Sequence, residues 1–371
     1  METPVRASMP TLACGHDGCA GTVGLPLAYH FNIPMPMAKL LKARGLQLGR
    51  PGELALFAAW KPMRGPPSRP EPPRVDGQRR ALVELGSSVA GREISNKKRL
   101  AQFLQACGQS SWSPATFCSI GELTDELTEC ADGGSDALWF LKHSSMDRNE
   151  GVTVHLGIAA CSAAWGAMPE EEQGNYIAQR EVRNLLLDAS GRKFTLRVYV
   201  VLVANIVEPS CTTAFREHGS ADHPDRPHFA SAAFVRRQFV CRAHPDAYDP
   251  DDPDPARHIH STLGKFEGVS GSLGSDWVLG ERAWPALRRM LAACVGPFLP
   301  QFAEDAARDA GVAGCRAGAR RVEILGVDAL FDQDLRPWLI EINQSPQLMP
   351  VHGNDIATAA REAVLEDVLR A

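Results

Sequence analysis

The stretch GVDALFDQDLRPWLIEINQSP, residues 326 to 346, carries the strongest indication of the fold of this 371-residue chain. Two apolar runs flank the polar residues 332 to 334, so the stretch predicts two antiparallel β-strands joined as a hairpin. The second strand nevertheless carries Glu341 and Asn343 into an apolar run. Because a carboxylate in such a position is costly unless a cation or hydrogen-bond donors compensate it, these two residues require an explanation.

The strand pattern predicts that the polar side chains of the two strands meet on one face. Side chains alternate across a strand, so Leu339, Glu341 and Asn343 are expected on one face and their immediate neighbours on the other. Antiparallel pairing would bring Asp328 of the first strand beside them. Such a pattern is also typical of exposed strand ends. Since Mg²⁺ takes carboxylate and carbonyl oxygens together with substrate phosphates, the sequence predicts a magnesium site bound with a nucleotide.

Basic residues elsewhere could supply contacts to phosphate. Lys142 ends the apolar run LWFLK and is followed by a small polar segment, so its ammonium could reach phosphate oxygens, although strand-end lysines are often in solvent. In GRKFTLRVYV, residues 191 to 200, alternation places Lys193, Thr195 and Arg197 on one strand face. Two cations on one face fit an anionic ligand, and an exposed sheet face is the alternative.

The remaining periodicity predicts a mixed α/β order with antiparallel hairpins. A helix is expected over residues 96–107, with Ser95 as its N-cap. Further helices are expected over 281–310 and 354–370. The apolar runs predict strands at 54–60, 138–142, 183–189, 194–203, 321–331 and 337–343. A short turn at Ser190-Gly191 is expected to join the runs near 187 and 194 as a second hairpin. This order argues against a doubly wound parallel fold.

Composition limits the classes of protein to which the chain can belong. The net charge of −5 gives no reason to expect a nucleic-acid partner. The longest apolar run, Val198 to Val207, is about half the length of a bilayer span, so no membrane partner is expected. Ten scattered cysteines without an export signal are most simply reduced thiols, which indicates a cytoplasmic location.

Three smaller patterns favour other chemistries only weakly. The Cys14 to Cys19 segment offers soft ligands, but no second Cys/His pair follows at zinc-finger spacing. His218, His223 and His228 share neither a helix face nor a strand face. The glycines of GVSGSLG, residues 268 to 274, open no clear turn from strand to helix, so a dinucleotide site is weakly indicated.

The ordered series LWFLK, YIAQREV, GRKFTLRVYV and GVDALFDQDLRPWLIEINQSP resembles the tubulin–tyrosine ligase-like family, whose fold belongs to the ATP-grasp superfamily. The resemblance covers roughly residues 50 to 350. It implies an α/β (α+β) fold with mixed and antiparallel sheets and with the nucleotide held between the central and C-terminal subdomains. The expected parts are a loosely ordered extension (1–45), a small N-terminal subdomain (46–95), a central subdomain (96–187) and a C-terminal subdomain (188–371).

The resemblance also implies roles for particular residues. Nucleotide contacts are expected from Lys97, Lys142, Gln179, Arg180, Glu181, Val182, Lys193, Thr195 and His228, with Glu181 and Val182 acting mainly through backbone groups. Catalytic roles are expected for Arg197, Arg216 and Glu341. The expected magnesium ligands are Asp328, Glu341 and Asn343.

The chain departs from the family pattern at four places. Thr195 and Glu181 stand where the family usually has aspartate and tyrosine, and the loop after Lys142 has lost most of its glycines. A family His-Leu-Thr-Asn segment is represented only by residues 228 to 231, His-Phe-Ala-Ser. These departures bear on substrate choice and on activity.

The activity that the resemblance implies is amide formation driven by ATP and Mg²⁺ through an acyl phosphate. The expected partners are a free amino acid and a protein acceptor such as the tubulin C-terminal tail, in the cytoplasm and in association with microtubules. Two alternatives stay open. One is a catalytically inactive protein that keeps the nucleotide site, and the other is an ATP-grasp ligase that joins small molecules.

Overall fold

A computed structural model describes residues 88–129, 137–146, 150–207, 228–244, 246–250, 282–313 and 320–344, together with several shorter segments. The shorter segments are 28–29, 47–48, 56–58, 74–75, 78–79, 83–85, 270–272, 358–359 and 361–364, and the single residues are 252, 254, 258, 346 and 348.

The strands, in chain order, are β1 (Ala28–Tyr29), β2 (Gln47–Leu48), β3 (Leu56–Ala58), β4 (Arg74–Val75), β5 (Gln78–Arg79), β6 (Val83–Leu85), β7 (Thr116–Phe117), β8 (Leu138–His143), β9 (Val152–Leu156), β10 (Tyr176–Arg180), β11 (Phe194–Val207), β12 (His228–Ala243), β13 (Ser270–Ser272), β14 (Arg320–Phe331) and β15 (Pro337–Gln344). The α-helices are α1 (Val89–Ser95), α2 (Lys97–Ala106), α3 (Ile120–Glu129), α4 (Ile158–Gly166), α5 (Glu170–Gln173), α6 (Trp284–Val295) and α7 (Leu299–Ala313). Short 3₁₀ turns lie at Ser110–Trp112 and Gly296–Phe298.

The larger sheet is built around the long antiparallel strands β11, β12 and β14. Its strand order within the described residues is β13-β12-β11-β14-β6-β3, and β15 also pairs with β14. The parallel strand β6 pairs with the beginning of β14, while β15 pairs with its end, so the two share one edge of β14. The hairpin predicted at residues 332 to 334 is confirmed.

One face of the larger sheet covers the main hydrophobic core. Alternate residues of β11 and β14 point into it, and α1, α2, α6 and α7 cover it from the other side. Leu202, Leu325 and Phe302 are among its fully buried side chains. Each such side chain contributes about 1.5–3 kcal/mol relative to an exposed position. The opposite face of the sheet is therefore left to carry the polar residues of the predicted site.

The smaller sheet has the order β7-β10-β8-β9 and is antiparallel throughout. Helices α3 and α4 pack against it around the buried side chains of Leu123, Trp139 and Trp165. Mixed helices and largely antiparallel sheets confirm the predicted α+β class. No helix in the part of the chain that the structure describes is long and apolar enough to cross a membrane.

Two helix predictions need correction at their ends. The N-cap of α2 is Asn96, whose Oδ1 accepts a hydrogen bond from the Arg99 backbone N–H at 3.1 Å. Ser95 is instead the last residue of α1, and its hydroxyl donates to the Arg92 carbonyl. The helical region predicted over 281–310 extends from Trp284 to Ala313, and it consists of α6 and α7, which are separated at Gly296-Pro297, where proline lacks the backbone N–H that a continuous helix needs.

The strand predicted over residues 183–189 is wrong. Asn184 has a positive φ of 51°, which interrupts the extended backbone. Only isolated bridges form, from Leu185 to Asp332 and from Leu187 to Lys193. The second of these closes the predicted turn before β11. The predicted extension, residues 1–45, lies outside the described residues except for β1, and the other predicted subdomain boundaries stay predictions.

Candidate functional site

Three polar side chains meet on the face of the larger sheet that is turned away from the main core. Arg197 of β11 lies directly opposite Asp328 of β14, and Asp328 lies directly opposite Glu341 of β15. Residues paired in this way have side chains on the same face about 5 Å apart. The predicted meeting of Asp328 with Glu341 therefore follows from the strand register.

A β-bulge corrects the predicted alternation of β15. The β14–β15 ladder pairs Asp328 with Glu341 but the next residue, Ala329, with Leu339, so Ile340 is the extra residue. Leu339 consequently points into the main core together with Ile342, and not to the side of Glu341 as predicted. Bulges redirect side chains in this way next to many active sites.

Arg197 holds the centre of this face. Its Nε donates to Asp328 Oδ1, and its Nη2 donates to Asp328 Oδ2 at 2.6 Å. Nη2 is also 3.8 Å from Glu341 Oε1. Burial alone would lower the pKa of Arg197, but Asp328 and Glu341 raise it above its ordinary value, so the guanidinium stays charged. This fork geometry fixes the Asp328 carboxylate.

The Glu341 carboxylate has two further neighbours. The amide of Asn343 donates from Nδ2 to Glu341 Oε1 at 2.9 Å. Lys97, the first residue of α2, places its Nζ 3.9 Å from Glu341 Oε2 and donates a hydrogen bond to the Met146 carbonyl at 2.8 Å. Both predicted residues, Lys97 and Asn343, therefore lie beside Glu341.

The donor set fits a magnesium ion that is bound together with phosphates. Asp328 and Glu341 supply carboxylate oxygens, and rotation of the Asn343 amide would present its oxygen beside them. Within the described residues, no group of three or more His, Cys, Asp or Glu side chains could hold a metal ion. Mg²⁺ commonly takes one or two carboxylates plus substrate phosphates, so this arrangement suits a metal–nucleotide complex.

Lys142 of the smaller sheet lies within electrostatic range of the same carboxylate. Its Nζ donates to Gln179 Oε1 at 2.7 Å and lies 5.1 Å from the centre of the Phe140 ring. Burial is the main cause that lowers the pKa of Lys142 to about 7; Glu341 opposes this shift, and the charges of Lys97 and Lys193 act in the same direction as burial. The charge of Glu341 therefore acts on Lys142.

The predicted hinge, residues 179 to 182, has most of its described polar groups engaged within the protein. The Arg180 N–H donates to Ala115, and the Glu181 N–H donates to the Leu138 carbonyl at 2.9 Å. The Glu181 side chain accepts from the Leu138 N–H at 2.9 Å. By contrast, Nε of Arg180 is buried without a hydrogen-bond partner. A buried donor without a partner is a group that a bound ligand could satisfy.

Lys193 is almost fully buried by the protein, whereas the prediction expects its ammonium to contact a nucleotide. It is 7% exposed, and its Nζ donates to the His258 carbonyl at 3.1 Å. The Phe140 and Tyr248 rings lie 5.2 and 5.9 Å from this Nζ. Burial lowers the pKa of Lys193 to about 8, against the opposing charge of Glu181. The chain itself therefore covers this predicted nucleotide contact.

The structure does not bring every predicted residue to the site. His228 pairs with Val207, ten residues beyond Arg197 on β11, so it lies about 33 Å along the strand from Arg197. This extended separation argues against His228 as a nucleotide contact. Arg216 lies outside the described residues. Thr195 is on the same strand face as Arg197, directly opposite Arg242 of β12 in the ladder.

Sequence reasoning missed the aromatic surroundings of the two lysines. Phe140 is two residues before Lys142 on β8, so alternation could have placed it on the same face. Tyr248 and His258 had no such signal, because they lie in an acidic, proline-rich segment with no periodicity. Their rings contact each other at 5.6 Å beside Lys193.

The fold and the site define the class of this protein, an α+β protein of the ATP-grasp type. The sequence profile of the tubulin-tyrosine ligase family matches residues 90–208 and 306–371, which together make up about half of the chain. The chain belongs to this family.

Curated relatives match a similar portion of the chain. It is similar to "Probable tubulin polyglutamylase TTLL9" of Mus musculus, with 28% identity over 206 residues, covering 53% of this chain and 38% of the relative. The protein of the same name from Bos taurus is 27% identical over 206 residues, with the same coverage. The chain thus spans 38% of the length of the curated relatives that it matches.

Proposed function

We propose that this protein is an amino-acid ligase that depends on ATP and Mg²⁺ and forms an amide bond on a protein tail. One observation carries the proposal: Arg197, Asp328 and Glu341 lie in register across three strands, with Lys97 beside Glu341. An isolated structural ion pair would not need a second carboxylate and further cations around it. The phosphates of a nucleotide would use the cations, and its metal ion would use the second carboxylate.

The cationic residues bind and orient the phosphates in this proposal. Lys142 and Lys97 approach Glu341 from separate elements, β8 and α2, so a triphosphate between them would be held from two sides. Arg197 keeps Asp328 fixed and charged, and it offsets negative charge that develops during transfer. Asp328, Glu341 and Asn343 would hold Mg²⁺, which would neutralise charge on the phosphate oxygens when bound.

The proposed reaction requires no serine, cysteine or histidine nucleophile. A carboxylate oxygen of the acceptor attacks the γ-phosphorus of ATP, and ADP leaves. The amine of the incoming amino acid then attacks the acyl carbon, inorganic phosphate leaves, and the nitrogen loses a proton. The chain's own residues contribute positioning and electrostatic stabilisation to both steps.

The names of the relatives suggest the substrates. Both relatives are named as probable tubulin polyglutamylases. We therefore propose glutamate as the added amino acid and the C-terminal tail of tubulin as the acceptor, in the cytoplasm on microtubules. Such tails are acidic, and several cations around the site would favour an anionic acceptor.

A second candidate function is nucleotide binding without transfer. It is favoured by the covering of Lys193, whose ammonium is already bonded to the His258 carbonyl. Thr195 in place of the usual aspartate adds to this alternative. A protein of this kind would bind ATP through Lys142 and Lys97 but would not modify an acceptor.

A transfer assay separates these functions. The purified full chain is incubated with ATP, Mg²⁺, tubulin and isotopically labelled glutamate, tyrosine or glycine, and the acceptor is analysed by mass spectrometry. The proposal expects labelled glutamate on the tail and none on tubulin whose tails have been removed. ATP binding without any labelled product favours the non-catalytic alternative, and a labelled small molecule favours a small-molecule ligase.

Matched variants test the site within the same assay. Glu341→Gln should abolish transfer while the near-UV circular dichroism spectrum stays unchanged. Glu129→Gln, an exposed glutamate of α3, serves as the control and should transfer at the wild-type rate. Equal rates for both variants would contradict the assignment of Glu341.

A further inference from the structure

A second carboxylate of β14, Glu323, is buried on the opposite face of the sheet from Asp328. It is 2% exposed, and its ladder partner on β11, Leu202, belongs to the main core. Burial raises the pKa of Glu323, while hydrogen bonds from Ser88 and Gln344 oppose this shift. Burying a carboxylate costs free energy unless hydrogen-bond donors compensate it. The donors to Glu323 therefore show which elements of the fold this residue connects.

Glu323 joins the beginning of α1 to the end of β15. The Ser88 N–H donates to Glu323 Oε2 at 3.1 Å. The Gln344 side chain donates to Glu323 Oε1 at 2.7 Å and to the Ser88 carbonyl at 2.9 Å. Ser88 is itself the N-cap of α1 and accepts from the Gly91 N–H at 2.7 Å. We call Ser88, Glu323 and Gln344 the brace.

The fit around the brace is close. A Cβ atom added to Gly91 would lie 2.1 Å from Glu323 Oε1 and 2.6 Å from Gln344 Nε2. Such distances are far below van der Waals contact, so α1 can approach the brace only because residue 91 is glycine. A second buried carboxylate, Asp305 of α7, accepts from the Ala90 N–H at 2.7 Å and fixes the same helix turn.

The two elements joined by the brace both lead to the candidate site. The helix α1 runs into Asn96, the cap of α2, and Lys97 follows immediately. On β15, Gln344 directly follows Asn343 and is three residues beyond Glu341. A rigid connection between α1 and β15 therefore sets the distance between Lys97 and Glu341, which is 3.9 Å between Nζ and Oε2.

We propose that the brace of Ser88, Glu323 and Gln344 is a positioning device that holds Lys97 against Glu341 in the nucleotide site. The inference rests on the proposed nucleotide-dependent function. In this proposal the three residues make no contact with phosphate, because Glu323 lies on the opposite sheet face from Asp328. They act by fixing the cation of α2 relative to the metal-binding end of β15.

The test uses Gly91→Ala, which adds one methyl group against the brace. Alanine favours a helix interior over glycine, so a loss of function in this variant would not come from helix propensity. The matched control is Gly121→Ala in α3, where the nearest atom to a new Cβ is 3.9 Å away. If Gly91→Ala does not fold, Gln344→Ala replaces it, because it removes two donors without adding atoms.

The first readout is the dissociation constant of the ATP–Mg²⁺ complex, measured by titration calorimetry. Gly91→Ala should weaken binding about tenfold, and Gly121→Ala should leave it unchanged. In a double-mutant cycle with Lys97→Met, the double variant should bind no more weakly than Lys97→Met alone, because both changes remove the same contact. Unchanged affinity in Gly91→Ala, or losses that multiply in the double variant, would overturn the proposal.

A second readout does not depend on nucleotide. Acetylation of lysines, followed by peptide mass spectrometry, should show Lys97 reacting several-fold faster in Gly91→Ala, with Lys142 unchanged. An unchanged rate at Lys97, or equal increases at both lysines, would overturn the brace. If the wild-type chain binds no ATP, the proposed function fails by itself, and the acetylation result alone decides whether the brace positions Lys97.

Discussion

The two faces of the β14–β15 hairpin carry acidic groups that are stabilised in different ways. On one face, the carboxylates of Asp328 and Glu341 are compensated by the charged side chains of Arg197 and Lys97. On the other face, Glu323 is compensated mainly by a backbone N–H and by the neutral amide of Gln344, with a weaker contribution from the charge of Arg321. The same pair of strands therefore presents one acidic group to the protein interior and two to a candidate ligand site.

The kind of partner that compensates each carboxylate corresponds to the role of that carboxylate in the protein. Neutral donors keep Glu323 in the core and join two elements, at a position that is almost fully buried. Glu341 is partly exposed beside its cationic partners, and under the proposed function a metal ion would take their place. We infer that the partners of a buried carboxylate, and not burial alone, distinguish a structural acid from a functional one.

The largest expected effect comes from removing the charge of Glu341 on the face that is turned away from the main core. Glu341→Gln should reduce transfer activity about 100-fold or more, because the site loses one of its two carboxylates where charge must be balanced. Initial rates with ATP, Mg²⁺ and tubulin measure this. The urea midpoint should stay close to that of the wild type, and a large shift in the midpoint would show that Glu341 is structural like Glu323.

The reverse pattern is expected on the buried face. Glu323→Ala leaves the Ser88 N–H and the Gln344 amide without their acceptor, so it should lower the free energy of unfolding by about 3 kcal/mol. Urea denaturation followed by circular dichroism measures this. The exposed helix residue Glu304 provides the matched control, since Glu304→Ala should change stability by less than about 0.5 kcal/mol. Equal effects of both changes would remove the contrast between the faces.

The pH dependence of ATP affinity tests the role of Lys142 in the candidate site. Burial lowers the pKa of its ammonium to about 7, so the charged form that binds phosphate is lost as the pH rises above this value. Affinity for ATP should therefore fall above pH 7, by up to about tenfold per pH unit. Lys142→Arg should bind with a flatter pH profile, because a guanidinium stays protonated. Identical profiles for the two proteins would place the titrating group elsewhere.

The smallest effect is expected at Thr195. Thr195→Asp restores the residue that is usual in the family and should raise ATP affinity about threefold, the worth of one added hydrogen bond. The gain should be absent for an ATP analogue that lacks the ribose hydroxyls. Thr195→Ser, which adds no carboxylate, serves as the control. A gain of equal size with the analogue would argue against a ribose contact.

Much of the fold was predictable because local patterns and packing agree. The alternating run from Phe194 onward predicted β11, and the apolar runs around residues 332 to 334 predicted the β14–β15 hairpin. The strand prediction for residues 183–189 was wrong because an apolar run of strand length can also form loop backbone. The positive φ of Asn184 has no periodic signal in the sequence. The break between α6 and α7 at Gly296-Pro297 has a local signal in the sequence, because proline cannot donate the backbone hydrogen bond of a continuous helix.

The candidate site was predictable only in part. Asp328 and Glu341 meet as the strand pattern indicated, while the pairing of Arg197 with Asp328 came only from the strand order of the sheet. The bulge at Ile340 was not predictable, because it depends on where the partner strand pairs and not on the residues of β15 alone. The resemblance that named His228 carries no information about strand length, and the structure pairs His228 with Val207, ten residues beyond Arg197.

The sequence by itself determined most of the strands and the polar groups that the candidate site contains. Apolar alternation set the strands, and the residue types at 197, 328, 341 and 343 set the donors available to a ligand, because both depend only on local order along the chain. The tertiary structure decided which donors meet and which are satisfied internally. Contacts such as Ser88 with Glu323, or Lys193 with His258, join residues 235 and 65 positions apart, and no local pattern encodes them.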